Sequence, residues 1–318
     1  IKKYNIIPNF NGNNHQLLVS NNDVPLSGGF YLLIILILTF HTNLNLIVFL
    51  IVIFSIGLAG DKNILISPLK RMILQIITVI LFIYHFELFI ESSRVEFMDI
   101  ILKNFYFKFI FSIFCILILI NGSNFIDGLN GLLIGYFLIV IYFMYNMGIL
   151  EHLNLDGKDY QFLFFGIIII LALNYLGLLF LGDNGSYLIG IFLSYILISS
   201  FRSFNGIISP YYIILLIWYP CFENLFSIIR KKKIGFSPIK ADNNHLHQII
   251  FLFLKKKLNL KKKYLNPLSS ILINTFNLLI IYSASSQPNY TIYQILHVII
   301  AITTYIVVYL FLTKKLNN

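Results

Sequence analysis

Ten apolar runs separated by short polar joints make up most of the chain. At 1.5 Å per residue, about 20 mostly apolar residues cross about 30 Å of hydrocarbon. By that measure the runs Gly29–Phe40, Leu44–Leu58, Pro68–Ile90, Phe105–Ile120, Leu129–Leu150, Gln161–Leu181, Ser186–Phe201, Pro210–Ile229, Leu268–Ser285 and Thr291–Thr313 read as membrane-spanning helices. The first is short, and His41, Thr42 and Asn43 read as a turn between it and the second. The pattern predicts an all-α fold: a polytopic integral membrane helix bundle of about ten transmembrane helices, one domain over residues 1–318. No internal repeat and no Pro/Gly linker divides it. The stretch Ile1–Leu26 is polar, Asn-rich and without a signal-peptide pattern.

Composition agrees. The chain is 58% hydrophobic and 11% charged, with a mean hydropathy of +0.83, where soluble chains carry roughly 45–50% apolar and about 25% charged residues. Disorder, a collagen-like fibre, a coiled coil and a disulfide-stapled secreted fold are excluded. Cys115 and Cys221 both lie in apolar runs and read as small buried hydrophobes.

Charge sets an expected orientation. Eleven Lys or Arg residues and a single acid, Asp242, lie between Arg230 and Lys263, a local excess equal to the net charge of +10 of the whole chain. The positive-inside rule makes this segment (230–266) a basic cytoplasmic loop. Counting spans then places residues 1–28 (a cytoplasmic lead-in), the Asp61–Arg71 loop, the Asn121–Asn130 segment and Asp183 on the same side. The Lys runs themselves read as retention signals that attract anionic lipid.

Four polar segments fall on that face, and charge beside a span usually marks a site. In N-G-S-N-F-I-D-G-L-N-G-L (Asn121 to Leu132), Asn121, Asn124 and Asp127 recur every three residues, within an arc of about 120° on a helix. In F-L-G-D-N-G-S (Phe180 to Ser186), Asp183 reads either as an N-cap helped by Ser186 or as a carboxylate at an anion-binding helix N-terminus, suited to Mg²⁺ beside phosphate. In Gly57 to Gln75, Asp61 sits where a helix leaves the membrane and Ser67-Pro68 opens the next; Lys70 and Arg71 read as positive-inside anchors. In Ser237 to Gln248, His245 and His247 stand near Asp242 and Arg230, and phosphate contact suits them better than an isolated H-x-H metal site. Glu223 either pairs with Arg230 along one helix face or belongs to the site.

Taken together, N-x-x-N-x-x-D-G-x-N-G-L, F-x-G-D-x-G-S and D-x-x-H-L-H, in this order and on one face, resemble the polyprenyl-phosphate N-acetylhexosamine-1-phosphate transferases. That family includes the undecaprenyl-phosphate GlcNAc-1-phosphate transferases and, more distantly, phospho-MurNAc-pentapeptide translocase. V-P-L-S-G-G-F (Val24 to Phe30) resembles the family's P-x-x-G-G approach to its second helix. The resemblance implies eleven spans, hence one helix ahead of the ten counted here. It implies transfer of a HexNAc-1-phosphate, GlcNAc-1-phosphate first, from a UDP-sugar to undecaprenyl phosphate, releasing UMP, with Mg²⁺ or Mn²⁺. The implied setting is the cytoplasmic face of a bacterial inner membrane, with a homodimer allowed and no nucleic acid involved.

Carried over by motif, Asp183 would be the metal-binding acid and Asp61 the acid beside the lipid phosphate. Asp127 and Asn124 would line the nucleotide pocket with Asn121 and Asn174. Phe180 would stack near the uracil, and His245, His247 and Arg230 would bind the pyrophosphate. The chain departs from the family pattern in several places. Gly60 precedes Asp61 where two adjacent acids are usual. Asn130 and Glu223 stand where Asp is frequent, and Gln248 where a third His is common. A secondary transporter, with acids near the midplane of paired halves, and an inactive relative are the rival classes.

Overall fold

The computed structural model describes residues 24–150, 153, 155–204, 207–233, 235 and 244–317; most of the N-terminal lead-in and Asp242 lie outside the described residues. Among the described residues thirteen helices follow in order: α1 (Gly28–Thr39), α2 (Leu44–Asp61), α3 (Pro68–Phe86), α4 (Glu96–Leu102), α5 (Phe105–Ile126), α6 (Leu132–Asn146), α7 (Gly157–Tyr175), α8 (Gly182–Ser203), α9 (Pro210–Leu216), α10 (Trp218–Lys233), α11 (Leu246–Lys257), α12 (Lys262–Ala284) and α13 (Thr291–Asn317). Each of the ten expected runs contains a helix. By length and composition α2, α3, α5, α7, α8, α12 and α13 suffice to cross a membrane, α9 and α10 do so only if the bent pair is one span, and α1 and α6 are shorter apolar helices.

The expected span Pro210–Ile229 is broken, turning by 77° between α9 and α10. Pro220 supplies the cause. In an unbroken helix its ring would collide with the carbonyl four residues earlier, that of Leu216. The carbonyl released by the break is not left bare: it accepts the Tyr136 hydroxyl at 2.9 Å.

Helix α8 is the axis of the bundle. It buries 78% of its span, against 28–44% for the other six long helices. Small residues make this burial possible. A side chain on Gly57 of α2 would fall on the Asn184 backbone in the first turn of α8, and one on Gly190 of α8 would fall on Ile120 of α5. Likewise a side chain on Gly122 of α5 would strike the Pro220 carbonyl of α10. These close approaches are the small-residue packing by which helices associate where lipid offers no hydrophobic drive between them.

Two expected loops contain helices. Helix α4 lies between Glu91 and Asn104, and the basic loop is largely helical, because α10 runs on to Lys233, α11 occupies Leu246–Lys257 and α12 begins at Lys262. The apolar positions of α11 provide its reason to fold: Leu246, Ile249 and Phe251 are buried while Lys255, Lys256 and Lys257 face outward. Cys115 and Cys221 are free and half-buried.

Replacing Gly57 by Val should destabilise the protein by about 1–3 kcal/mol through overpacking against α8. Gly157→Ala, where an added Cβ meets nothing within 4 Å, should stay within about 0.5 kcal/mol. Chemical denaturation of both variants in mild detergent checks this pair of values.

Candidate functional site

The first turn of α8 presents backbone N–H groups that its own helix cannot satisfy. Two carboxylates from other helices take them. Asp61, the last residue of α2, accepts the Asp183 N–H on Oδ1 at 2.9 Å. Its Oδ2 accepts the Asn184 N–H at 3.1 Å and the Asn184 side-chain amide at 2.5 Å. Asp127, the residue that closes α5, accepts the Gly182 N–H. Gly182 itself adopts φ +76°, and a Cβ there would press on Asp61, so the turn into α8 requires glycine. Negative charge at this helix end is also favoured by the helix dipole.

All three acids are partly exposed, and Asp183 is the one of them that is paired with an arginine. Its side chain is 21% exposed and its Oδ2 is paired with the guanidinium of Arg71 on α3. Gly60 makes room for the pair, since a Cβ there would lie 2.9 Å from Arg71 Nη1 and 3.0 Å from Asp183 Oδ2. Asp127, outside the spans, has its pKa raised well above the usual carboxylate range. Burial is the largest cause and the charges of Asp183 and Asp61 add to it, against the Gly182 hydrogen bond.

The end of α5 and the following turn tie this acid cluster to the rest of the face. Asn124 Oδ1 accepts the Ser186 hydroxyl of α8 at 3.3 Å, and Asn121 donates to Gln75 of α3 at 3.1 Å. Asn174, buried at the end of α7, accepts the Gly131 N–H and donates to the Leu179 carbonyl at 2.8 Å. It therefore clamps the loop after α5 to the loop before α8. Asn266 of α12 holds the Asn130 N–H at 2.7 Å. Phe180 lies buried against Val24 and Leu26, with its N–H on the Pro25 carbonyl at 3.1 Å.

A second cluster adjoins the same turn. Glu223, fully enclosed in α10, accepts His245 Nδ1 at 2.8 Å on one oxygen and the Tyr305 hydroxyl of α13 at 2.8 Å on the other. His245 caps α11, and its ring lies 5.3 Å from that of Phe125 and 5.6 Å from that of His247. His247 is completely buried, both ring nitrogens lack a partner, and Nε2 abuts Gly128, where a Cβ would collide with it. Burial, then the neighbouring His245 charge, lower its pKa from 6.5 to about 3 against the pull of Glu223. Arg230 bonds Tyr309 at 2.9 Å and the Asn244 carbonyl.

The sequence-derived residues thus meet on one face: Asp61, Asp127 and Asp183 at the start of α8, with His245, His247 and Arg230 beyond the Gly128 turn. Asn121 and Asn124 lie between them. Asn174 stands behind the site, holding its loops, and Phe180 is packed beneath the Val24–Leu26 segment. Reasoning from sequence passed over Arg71 as an anchor and did not weigh Gln75 or Tyr305. A signal existed for the first two, because Arg71 and Gln75 are four apart on one face of α3, and a glutamine within a span is a costly choice.

Part of the chain is similar to known proteins. The model of glycosyl transferase family 4 matches residues 43–201, half of the chain. A decaprenyl-phosphate N-acetylglucosaminephosphotransferase of Mycolicibacterium smegmatis is 30% identical over 152 residues, 41% of this chain and 37% of that protein. Undecaprenyl-phosphate alpha-N-acetylglucosaminyl 1-phosphate transferases of Yersinia pestis and Escherichia coli are 31% and 30% identical over 152 and 154 residues, in both cases 45% of this chain and 41% of the relative. The matched part of the chain spans about two-fifths of the length of these relatives.

Asp61→Ala should lower stability by about 1–2 kcal/mol, since it removes the tertiary cap of α8. Asp183→Ala should cost less than about 1 kcal/mol, because its partly exposed ion pair contributes little. Denaturation midpoints of the two variants test the order. For His247, the unfolded chain takes up a proton near pH 6.5 and the native state only near 3. Its contribution is complete above about pH 6.5 and is lost as the pH falls toward 3, by up to about 1.4 kcal/mol per pH unit. His247→Asn should flatten the stability curve over that window, as measured by denaturation at a series of pH values.

Proposed function

This chain belongs to glycosyl transferase family 4, and from that premise we propose that it transfers a HexNAc-1-phosphate, GlcNAc-1-phosphate first, from a UDP-sugar to undecaprenyl phosphate at the cytoplasmic membrane face, releasing UMP. One observation carries the reading. Asp61 and Asp127, separated in sequence and placed on different helices, both cap the turn that presents Asp183. The same α5–α6 turn abuts His247.

Both substrates are anions, and bringing a diphosphate against a lipid phosphate is costly unless positive charge intervenes. Arg71 and Arg230 supply part of that charge. Among the described residues no three His, Cys, Asp or Glu side chains form a metal cage. Mg²⁺ needs none, because it commonly binds one or two carboxylates and completes its shell with water and substrate phosphate. Asp183 suits such a site, with Asp127 beside it. When bound, Mg²⁺ or Mn²⁺ would neutralise the diphosphate and ease departure of UMP.

In the reaction, an oxygen of the lipid phosphate forms a bond to the sugar-bearing phosphorus. The pyrophosphate bridge breaks, and its electron pair leaves on UMP. A phosphate monoester is mostly a dianion at neutral pH, its second pKa being about 6, so a strong general base is scarcely needed. Asp61 then serves by holding Asp183 and the α8 terminus in place. His245, oriented by Glu223, meets the pyrophosphate with Arg230, His247 backs it from its buried place against the Gly128 turn, and Asn121 and Asn124 face the nucleotide. The prenyl tail stays in the bilayer, which is why the site belongs at a membrane face.

The test is incubation of membranes holding the protein with UDP-GlcNAc, other UDP-HexNAc donors and undecaprenyl phosphate, reading UMP release and the lipid product. Lipid-linked GlcNAc phosphate is expected, and Asp183→Asn should reduce its formation by about 100-fold or more without loss of membrane insertion. Absence of any lipid product, or normal turnover in the variant, would contradict the assignment.

A further inference from the structure

Beyond the acid and histidine clusters, a cavity of about 240 Å³ opens between α10, α11, α12 and α13. It is smaller than the usual small-molecule site of about 300–1,000 Å³. Leu246 and Ile250 of α11, Leu272 and Phe276 of α12, and Val308 of α13 line it. Leu272 is 49% exposed at its edge, so the cavity opens sideways on the apolar surface of the bundle. Behind it lie three buried polar atoms with no partner: Trp218 Nε1, the Tyr219 hydroxyl and Asn277 Oδ1.

The same three helices gather positive charge at one end. Lys255–Lys257 close α11, Lys261–Lys263 open α12, and Lys314 and Lys315 close α13; all are exposed. The ends are in contact, since Lys256 Nζ donates to the Lys315 carbonyl at 3.4 Å. No Asp or Glu follows Asp242 in the chain, so no acid of these helices offsets the repulsion. At 1.5 Å per residue the lysines lie about 8–22 Å along the helices from the cavity. That is a head-to-chain distance within one lipid molecule, and the lysines stand where its headgroup would lie.

We propose that α11, α12 and α13 form a binding site for an anionic phospholipid, one hydrocarbon chain filling the cavity and the phosphate held by the Lys261–Lys263 and Lys314–Lys315 groups. Charge complementarity selects this occupant over a zwitterionic lipid, each lysine beside an anionic headgroup contributing roughly five-fold in affinity. The site touches the functional face through one residue. Tyr305 lines the cavity and donates to Glu223, which holds His245. A bound chain therefore braces the Tyr305–Glu223–His245 relay.

The experiment uses the whole protein in detergent, doped in turn with phosphatidylglycerol, phosphatidylcholine and undecaprenyl phosphate and examined by native mass spectrometry, with melting curves for each mixture. Phosphatidylglycerol should be retained at least about tenfold over phosphatidylcholine and should raise the melting temperature. Both effects should drop in the Lys261→Gln/Lys262→Gln/Lys263→Gln variant, and also in Leu272→Trp, which fills the cavity. Equal retention of the two phospholipids by the unaltered protein would overturn the proposal whatever the variants do. So would displacement of phosphatidylglycerol by equimolar undecaprenyl phosphate, which would make the acceptor the occupant. These readouts need no turnover, so they stand or fall apart from the transferase reading.

Discussion

A helix that starts inside a membrane protein exposes N–H groups with no partner of their own, and lipid cannot supply one. At the start of α8 that requirement is met by Asp61 from α2 and Asp127 from the end of α5. The arrangement holds three elements in register and gathers acids that would otherwise repel each other. Asp183 stands in the capped turn itself and pairs with Arg71, while the other two are turned to capping.

The capping explains why α8 can be the buried axis. With its first turn satisfied by tertiary partners, glycine at positions 57 and 190 lets α2 and α5 approach its backbone closely. On the other side of the α5–α6 turn, Pro220 breaks the α9–α10 span. The break leads into α10, on which Glu223 stands against His245 and Tyr305. Stability and site geometry thus draw on the same residues, and substitutions at the site act on both.

Arg71 illustrates how a departure from a family pattern is absorbed. Where Gly60 replaces an expected acid, the space is used by a guanidinium paired with Asp183. The local balance shifts by a full charge relative to a site with two adjacent acids.

The amino-acid sequence by itself determined the helical class and the place of the long apolar helices, because the length of an apolar run and the residues at its ends are local properties; it did not show α4, α11 or the break between α9 and α10. It also determined that Asp61, Asp127 and Asp183 stand at the ends of such runs and that His245 and His247 lie in the basic segment between two of them. Tertiary structure alone decided their partners. Whether Asp61 caps its own helix or another one, whether Asn174 faces a ligand or clamps two loops, and whether Arg71 anchors at the surface or pairs with Asp183 depend on which helix ends meet. Such meetings link residues more than a hundred positions apart, and no local pattern records them. The helix α11 within the basic loop was hidden for the opposite reason: its Lys-rich end masks an apolar face that is worth burying only once α12 and α13 are there to cover it.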